Sequence, residues 1–420
     1  MEPLSQIARV PIRLEPTRCG IGSILPLCAA ACLAVGTARA DQLADRLGPH
    51  VGTTIDLVEL ATGKRFVRPQ LDGLTMRDDA VTGLTIKPEG GVRSTRLALN
   101  SIVKIVAARE TIHEAAPQAS GTTSSRGSRA REAYERQRAE SAARMQEHGV
   151  TPWPVLSAAD HAAEVEALKK FVAEVQTAFP TLRLSETHEF LVASDIPAEQ
   201  LRPYVASLDS MHDFLCDLYA IPRGEPVWKG KCLVVAFLQE QDYAAFEGRF
   251  MRTDTRGTHG LCHQRSDGRV IMACHRGPDA PAFAHMLVHE TSHGFNHRWM
   301  SPQRIPNWLN EGIAEWVGTK VVPGSNQVAL KEAKAAEYMR SHGDMGEDFF
   351  TAQNIAAVQY GIASSLVRFL ARDPKKFAAF VRSVKEGVPV DEALEAVYKG
   401  SFDDLVKSYG AAVGVPHLKR

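Results

Sequence analysis

The sequence predicts an α+β protein in two parts: a small, β-barrel-like N-terminal module, then a larger domain in which a mixed sheet is followed by a helical half. Three observations predict it. Short apolar runs with Gly and Pro punctuation crowd residues 51–106. Residues 117–131, PQASGTTSSRGSRAR, have linker composition. From about residue 157, extended and helical stretches interleave, and then only helical ones remain. A chain of 420 residues has room for two or three domains. Its 49 Lys+Arg balance 49 Asp+Glu, so bulk charge gives no case for nucleic acid or an anionic membrane surface as partner, and no nucleic acid is expected.

Residues 1–40 read as a signal peptide. Arg9, Arg13 and Arg18 form a basic leader, GIGSILPLCAAACLAVG (20–36) is the apolar run, and Ala38-Arg39-Ala40 is a small-x-small cleavage site before Asp41. The run falls short of the roughly 20 residues of a membrane span and contains Pro26. Neither Cys28 nor Cys32 follows a Leu and two small residues, as a lipid-modified cysteine would. The expectation is an exported protein, periplasmic, envelope-bound or secreted, whose mature chain starts at Asp41.

Residues 41–116 form the β-rich module. TTIDLVEL carries apolar Ile55, Leu57 and Leu60, a turn follows at Gly63, and LTMRD, LTIKPEGG, TRLALN and IVKIV continue as short runs. About five strands are expected, as a small barrel or sheet; their order loosely resembles an Sm-like or SH3-like barrel, and a small β module of any other kind is the competing reading. The module holds no cluster of His, Cys and acidic residues, so its expected role is contact with a cell-envelope partner. Residues 117–156 are expected to be a flexible linker and an exposed charged helix, EAYERQRAESAARMQEH, closed by TPWP at Pro154.

Residues 157–420 form the main domain. AADHAAEVEALKKFVAEVQTAF has helical periodicity, LRLSETHEFLVASDI is extended, and PAEQLRPYVASLDSMHDFLCDLYAI is a second helix. KCLVVAFL is a near-continuous apolar strand, QDYAAFEGRF a short helix, and THGLCHQ and RVIMACH two more strands. With the signal removed, Cys216, Cys232, Cys262 and Cys274 remain. Cys262 and Cys274 flank the turn Ser266-Asp267-Gly268 and could face each other across a hairpin as a disulfide. The other reading is four buried thiols. No pair has zinc-knuckle spacing.

The chemistry lies in HMLVHETSHGFNH, residues 285–297, on a helix that Asp279 and Pro281 open. His289-Glu290-Thr291-Ser292-His293 puts two imidazoles at i and i+4, about 5–6 Å apart at Cβ, so both can reach one Zn2+. Glu290 is turned about one residue round the helix, where it can serve as general base but not readily as a ligand. A second motif, Trp308-Leu309-Asn310-Glu311-Gly312-Ile313-Ala314-Glu315-Trp316, starts fifteen residues after His293. Pro306 opens its helix and Gly318 is expected to close it. Carboxylates on so apolar a helix need a cation or hydrogen-bond partners. Glu311 is the expected third ligand, with an open position left for water, and Glu315 the expected acceptor of a ligating imidazole's N–H. Gly312 is expected to let this helix approach the histidine helix closely.

His-Glu-x-x-His followed by Trp-Leu-Asn-Glu-Gly-x-Ala-Glu resembles the gluzincin metallopeptidases, the thermolysin-like superfamily that includes the M1 aminopeptidases, and among them the minimal bacterial peptidase-MA-like branch. The resemblance covers roughly residues 183–412. It implies a thermolysin-like domain, zinc on His289, His293 and Glu311, Glu290 as base, and a peptide or protein as substrate. The strand-helix-strand before the site and the tail FVRSVKEGVPVDEALEAVYKGSFDDLVKSYG, a terminal pair of short helices, fit that branch. The Gly-x-Met-Glu-Asn stretch of M1 aminopeptidases is missing before His289, so the resemblance does not extend to aminopeptidase specificity.

A hydrogen-bond donor for the developing oxyanion is also expected. Tyr360, in AAVQYGIASSLVRFL, stands where the family places such a Tyr; the alternative is a Tyr that packs in the core. His259, His263 and His275 are further candidates. Two other readings of the whole site stand beside the peptidase: an inactive gluzincin-like binding or scaffold protein of the envelope, and a zinc hydrolase of a non-peptide bond. The ridge of histidines spans about 18 Å from His285 to His297, too far to share one ion. No metzincin-type ligand follows His293, since Asn296 and Trp299 stand at the Gly and His positions. His285 and His297 therefore either support a ligand from behind or line the cleft.

Overall fold

The computed structural model describes residues 43–60, 65–77, 80–89, 94–108, 110–114 and 125–420. The signal segment with Cys19, Cys28 and Cys32, the turn at Gly63 and linker residues 117–124 lie outside the described residues. Among those described, no helix is long and apolar enough to cross a membrane. By its contacts the chain divides into residues 1–121 and 122–420.

The first unit holds β1 (Leu57–Leu60), β2 (Arg65–Val67), β3 (Gln70–Arg77), β4 (Ala80–Lys87), β5 (Thr95–Ala98), β6 (Ile102–Ala107) and β7 (Glu110–Glu114). Among the described residues the strands do not close into the expected barrel. They form two sheets, in the orders β2-β1-β6-β7 and β3-β4-β5, stitched at one corner by a bridge between Thr54 and Gln70. Val58, Leu71, Leu84, Ile86 and Ile105 alternate inward and are fully buried in one core between them. The unread strands are β2 and β7, which are too short and too polar to register as apolar runs.

The second unit begins with α1 (Ser125–Glu147). This is the charged helix, and it is docked rather than exposed. Ser141 and Met145 are buried. The guanidinium of Arg144 donates from Nε and Nη2 to the Glu386 carboxylate at 2.6 and 2.7 Å, and Ser141 Oγ donates to the same group at 2.5 Å. The docking combines these polar contacts with apolar ones from Tyr134 and Met145.

Next come α2 (Ala158–Ala178), β8 (Arg183–Glu186), β9 (Phe190–Ser194), α3 (Ala198–Leu218), β10 (Cys232–Phe237), α4 (Glu240–Phe246), a π turn (Glu247–Met251), β11 (Gly260–Gln264) and β12 (Val270–His275). The sheet order is β11-β12-β10-β9-β8. The three central strands are parallel and the edges β8 and β11 antiparallel. Every residue of β9, β10 and β12 is buried, which is why these strands read as unbroken apolar runs. Alternate residues serve two cores. Val192, Val234 and Met272 face α3 and the C-terminal helices, and Leu191, Val235 and Ala273 face α2 and α4.

The rest is helical: α5 (Ala280–Arg298), α6 (Asn307–Val321), α7 (Gln327–His342), α8 (Gln359–Leu370), α9 (Pro374–Lys385), α10 (Val390–Tyr398) and α11 (Phe402–Ala412). Cys262 pairs with Met272 and Cys274 with Gly260, so the two cysteines are diagonal rather than opposite. All four cysteines of this unit are free thiols, and burial pushes the Cys216 thiol up to about 12.

Candidate metal centre

The histidine helix α5 starts where its caps dictate. The Asp279 carboxylate accepts the Ala282 N–H at 3.0 Å, and Pro281 fills the first turn. The helix lies on the sheet face formed by Val270, Met272 and Cys274. Its partner α6 is anchored by Trp308, which is fully buried among Phe349, Phe350 and Phe402. Losing that ring would cost about 3–5 kcal/mol.

Two glycines set the spacing of the helices, with roles other than expected. A Cβ on Gly312 would meet the Ala363 carbonyl oxygen at 2.5 Å, so Gly312 brings α6 against α8, not against the histidine helix. Gly318 does not close α6, which runs on to Val321. A Cβ there would strike the His285 ring, so Gly318 is the close-approach position to α5.

The two helices bring three ligand atoms together. His289 Nε2 and His293 Nε2 are 3.2 Å apart, and Glu311 Oε2 lies 3.2 Å from the first and 3.4 Å from the second. Three ligands each about 2.0–2.1 Å from a tetrahedral ion would stand about 3.3 Å from one another. The triangle therefore fits Zn2+ without rearrangement. Its surroundings suit a cation as well. Burial opposes charge on Glu311, but the two imidazoles hold its carboxyl well below the usual range. Burial likewise works to lower the His293 pKa, and the carboxylates, led by Glu311, overcome it and raise it to about 9.

Glu315 stands behind the triangle, fully buried. Against burial, His285, His289 and Lys331 keep its carboxyl ionised, with a pKa of about 2. An ionised carboxylate only accepts, so His285 donates its Nε2–H to Oε2 at 3.1 Å. Oε1 lies 3.6 Å from His289 Nδ1, beyond hydrogen-bond reach, and among the described residues that nitrogen is buried without a hydrogen-bond partner. Lys331 Nζ bonds the same carboxylate. His285, His289 and Glu315 form a second group with metal-binding spacing. That group is enclosed, and the Lys331 ammonium beside it disfavours a cation. His293, alone of the first triangle's three residues, lines a cleft of about 500 Å³, whose walls also include Gln264, Asn296, His297 and Asn310. His297 thus lines the cleft, while His285 supports Glu315.

Glu290 is half-buried. Tyr360, at the start of α8, is half-buried too. Burial first, then the charges of Glu311, Glu290 and Glu315, push its phenol up to about 12, so it remains an O–H donor beside the acidic residues. The other three histidines lie elsewhere. His263 pairs with Ile271, which faces α2 and α4, and its Nε2 meets the buried Glu247 at 2.9 Å. His259 Nδ1 lies 3.1 Å from His275 Nε2, and His275 packs on Tyr243 in the same core. All three are on the sheet face opposite α5 and do not reach the triangle. Lys331 was not legible beforehand. It sits on α7, a helix without a chemical motif. The signal for His285 was its place one turn before His289.

These features define a mixed α+β domain whose two adjacent helices bring together a His-His-Glu group able to hold a metal ion, with His293 at the wall of a cleft. In comparison with known proteins, no family model matches the chain, and no curated protein matches it.

Proposed function

We propose that this chain is an exported, zinc-dependent metallopeptidase of the gluzincin kind, with a thermolysin-like domain at residues 157–420. The observation that carries the reading is the convergence of His289 Nε2, His293 Nε2 and Glu311 Oε2 at 3.2–3.4 Å beside an open cleft. Held there, Zn2+ would supply a Lewis acid and a water of lowered pKa. Glu290 takes the proton of the attacking water and hands it to the leaving amine. Tyr360 donates its O–H to the developing oxyanion. Glu315, held by His285 and Lys331, places a buried negative charge behind His289.

A peptide substrate is favoured by the sheet edge. β11 pairs with β12 alone among the described strands, and its last residue, Gln264, lines the cleft with His293. An extended peptide can add to such an edge through main-chain hydrogen bonds. The N-terminal module is assigned contact with an envelope partner.

The test is a panel of labelled peptides against wild type and Glu290→Gln, with bound zinc measured in both. Wild type hydrolyses a subset of the panel. Glu290→Gln keeps its zinc and loses at least about 100-fold in rate. Hydrolysis undiminished in Glu290→Gln contradicts the mechanism. Zinc binding with no hydrolysis of any peptide favours the scaffold reading.

A further inference from the structure

Arg298 is the last residue of α5 and is 8% exposed. Among the described residues it has no hydrogen bond and no ion pair, and its Nε is buried without a partner. A guanidinium carries five donors and a permanent charge, and burying such a charge unpaired is costly. Its stabilising surroundings are the C-terminal end of α5 and the Trp153 ring, 5.3 Å from the guanidinium carbon. Burial, and then the like charge of Arg138, push the Arg298 pKa down to about 10.

The side chain borders a cavity of about 170 Å³ whose wall includes Tyr134, Gln137, Arg138, Ser141, Trp153 and Arg298 and no carboxylate. Arg138 shares Glu225 with Arg131, at 3.4 and 3.1 Å, whereas Arg298 meets no carboxylate among the described residues. On the other side of Arg298 a second cavity does carry acids, but they are engaged. Glu164 is held by Arg269 at 2.8 Å and Lys229 at 3.3 Å, Asp267 by Lys229 at 3.4 Å, and Asp160 by the Ser157 cap. The rest of the first cavity's wall is largely apolar, with Met145, Val155 and Trp299.

We propose that this cavity binds a small organic carboxylate, its oxygens on the Arg298 fork and its apolar body against Trp153. A planar fork matches a carboxylate in two parallel hydrogen bonds. The largely apolar remainder of the wall favours an organic anion over phosphate. The site is separate from the cleft, whose wall does not include Arg298. The same chemistry is offered by a free aromatic or aliphatic acid and by the C-terminal carboxylate of a peptide with an apolar last residue.

The test is calorimetric titration of the intact, zinc-loaded chain with phenylacetate, N-acetyl-alanyl-leucine and inorganic phosphate, alongside thermal melting. A carboxylate can also approach the metal triangle, so the titrations are repeated on Glu311→Ala. At least one of the two carboxylates saturates wild type and Glu311→Ala alike and raises the melting temperature. The tighter of the two identifies the source. Arg298→Met weakens that binding by about tenfold or more, and its ligand-free form melts no lower than wild type, since a buried unpaired charge has been removed. Should Arg298→Met not fold, Arg298→Lys, which keeps the charge and loses the fork, must still bind more weakly. Lack of saturable carboxylate binding, binding unchanged in the Arg298 variants, binding lost only in Glu311→Ala, or phosphate bound more tightly than both carboxylates would each overturn the proposal.

Discussion

Glu311 and Glu315 are four residues apart on one helix, yet they do different things because they meet different nitrogens. Glu311 faces two Nε2 atoms, and Glu315 faces His285 Nε2 and His289 Nδ1. That the two carboxylates share a face was legible because i, i+4 spacing is a property of one helix and needs no knowledge of the fold, but the imidazole hydrogen bond of Glu315 goes to His285 and not to either expected ligand. The Lys331 contact to Glu315 was not legible, since it joins residues sixteen apart on different helices through tertiary packing. At this scale the account expects Tyr360→Phe to lower kcat by roughly 10–1000-fold with little change in KM, because the phenol O–H meets charge that forms only in the transition state. Steady-state kinetics on a cleaved peptide check this; a rise in KM alone would place Tyr360 in substrate binding or packing.

Among the elements, the glycines of α6 set which helices touch. Gly312→Ala would press a methyl on the Ala363 carbonyl oxygen, 2.5 Å from the added carbon. Overpacking of this kind costs about 1–3 kcal/mol, and it pushes apart the helices that carry Glu311 and Tyr360. Thermal melting and zinc affinity should fall together; a variant as stable as wild type would contradict the packing. The long helices and buried strands were legible from periodicity and unbroken apolar runs. β2 and β7 were not, because short polar strands carry no periodic signal. The direction in which Gly312 faces was also hidden, since a glycine marks a close approach without naming its neighbour.

For the whole molecule, the division into a β module and a larger α+β domain followed from composition, while the docking of α1 did not. Composition reports that a helix is charged, not that Glu386 waits for its Arg144. Near that junction Lys385 is 1% exposed and donates to the carbonyls of Ser301 and Gln303 at 2.5 and 2.7 Å. Burial lowers its pKa from 10.5 to about 7. Between those values the unfolded chain binds a proton that the folded chain does not, so stability rises with pH across this window and is lowest below it. The melting temperature of wild type relative to Lys385→Gln should therefore climb from about pH 7 to pH 10. A flat or falling difference would show that the amine keeps its proton when folded.

The central claim is that two helices hold one catalytic zinc through His289, His293 and Glu311. It is tested most directly by zinc stoichiometry on the purified protein, wild type against Glu311→Ala. The account predicts about one zinc per wild-type chain and a large loss in the variant, with the fold retained by circular dichroism. An unchanged stoichiometry in Glu311→Ala, or a wild type free of zinc after purification with zinc present, would contradict it.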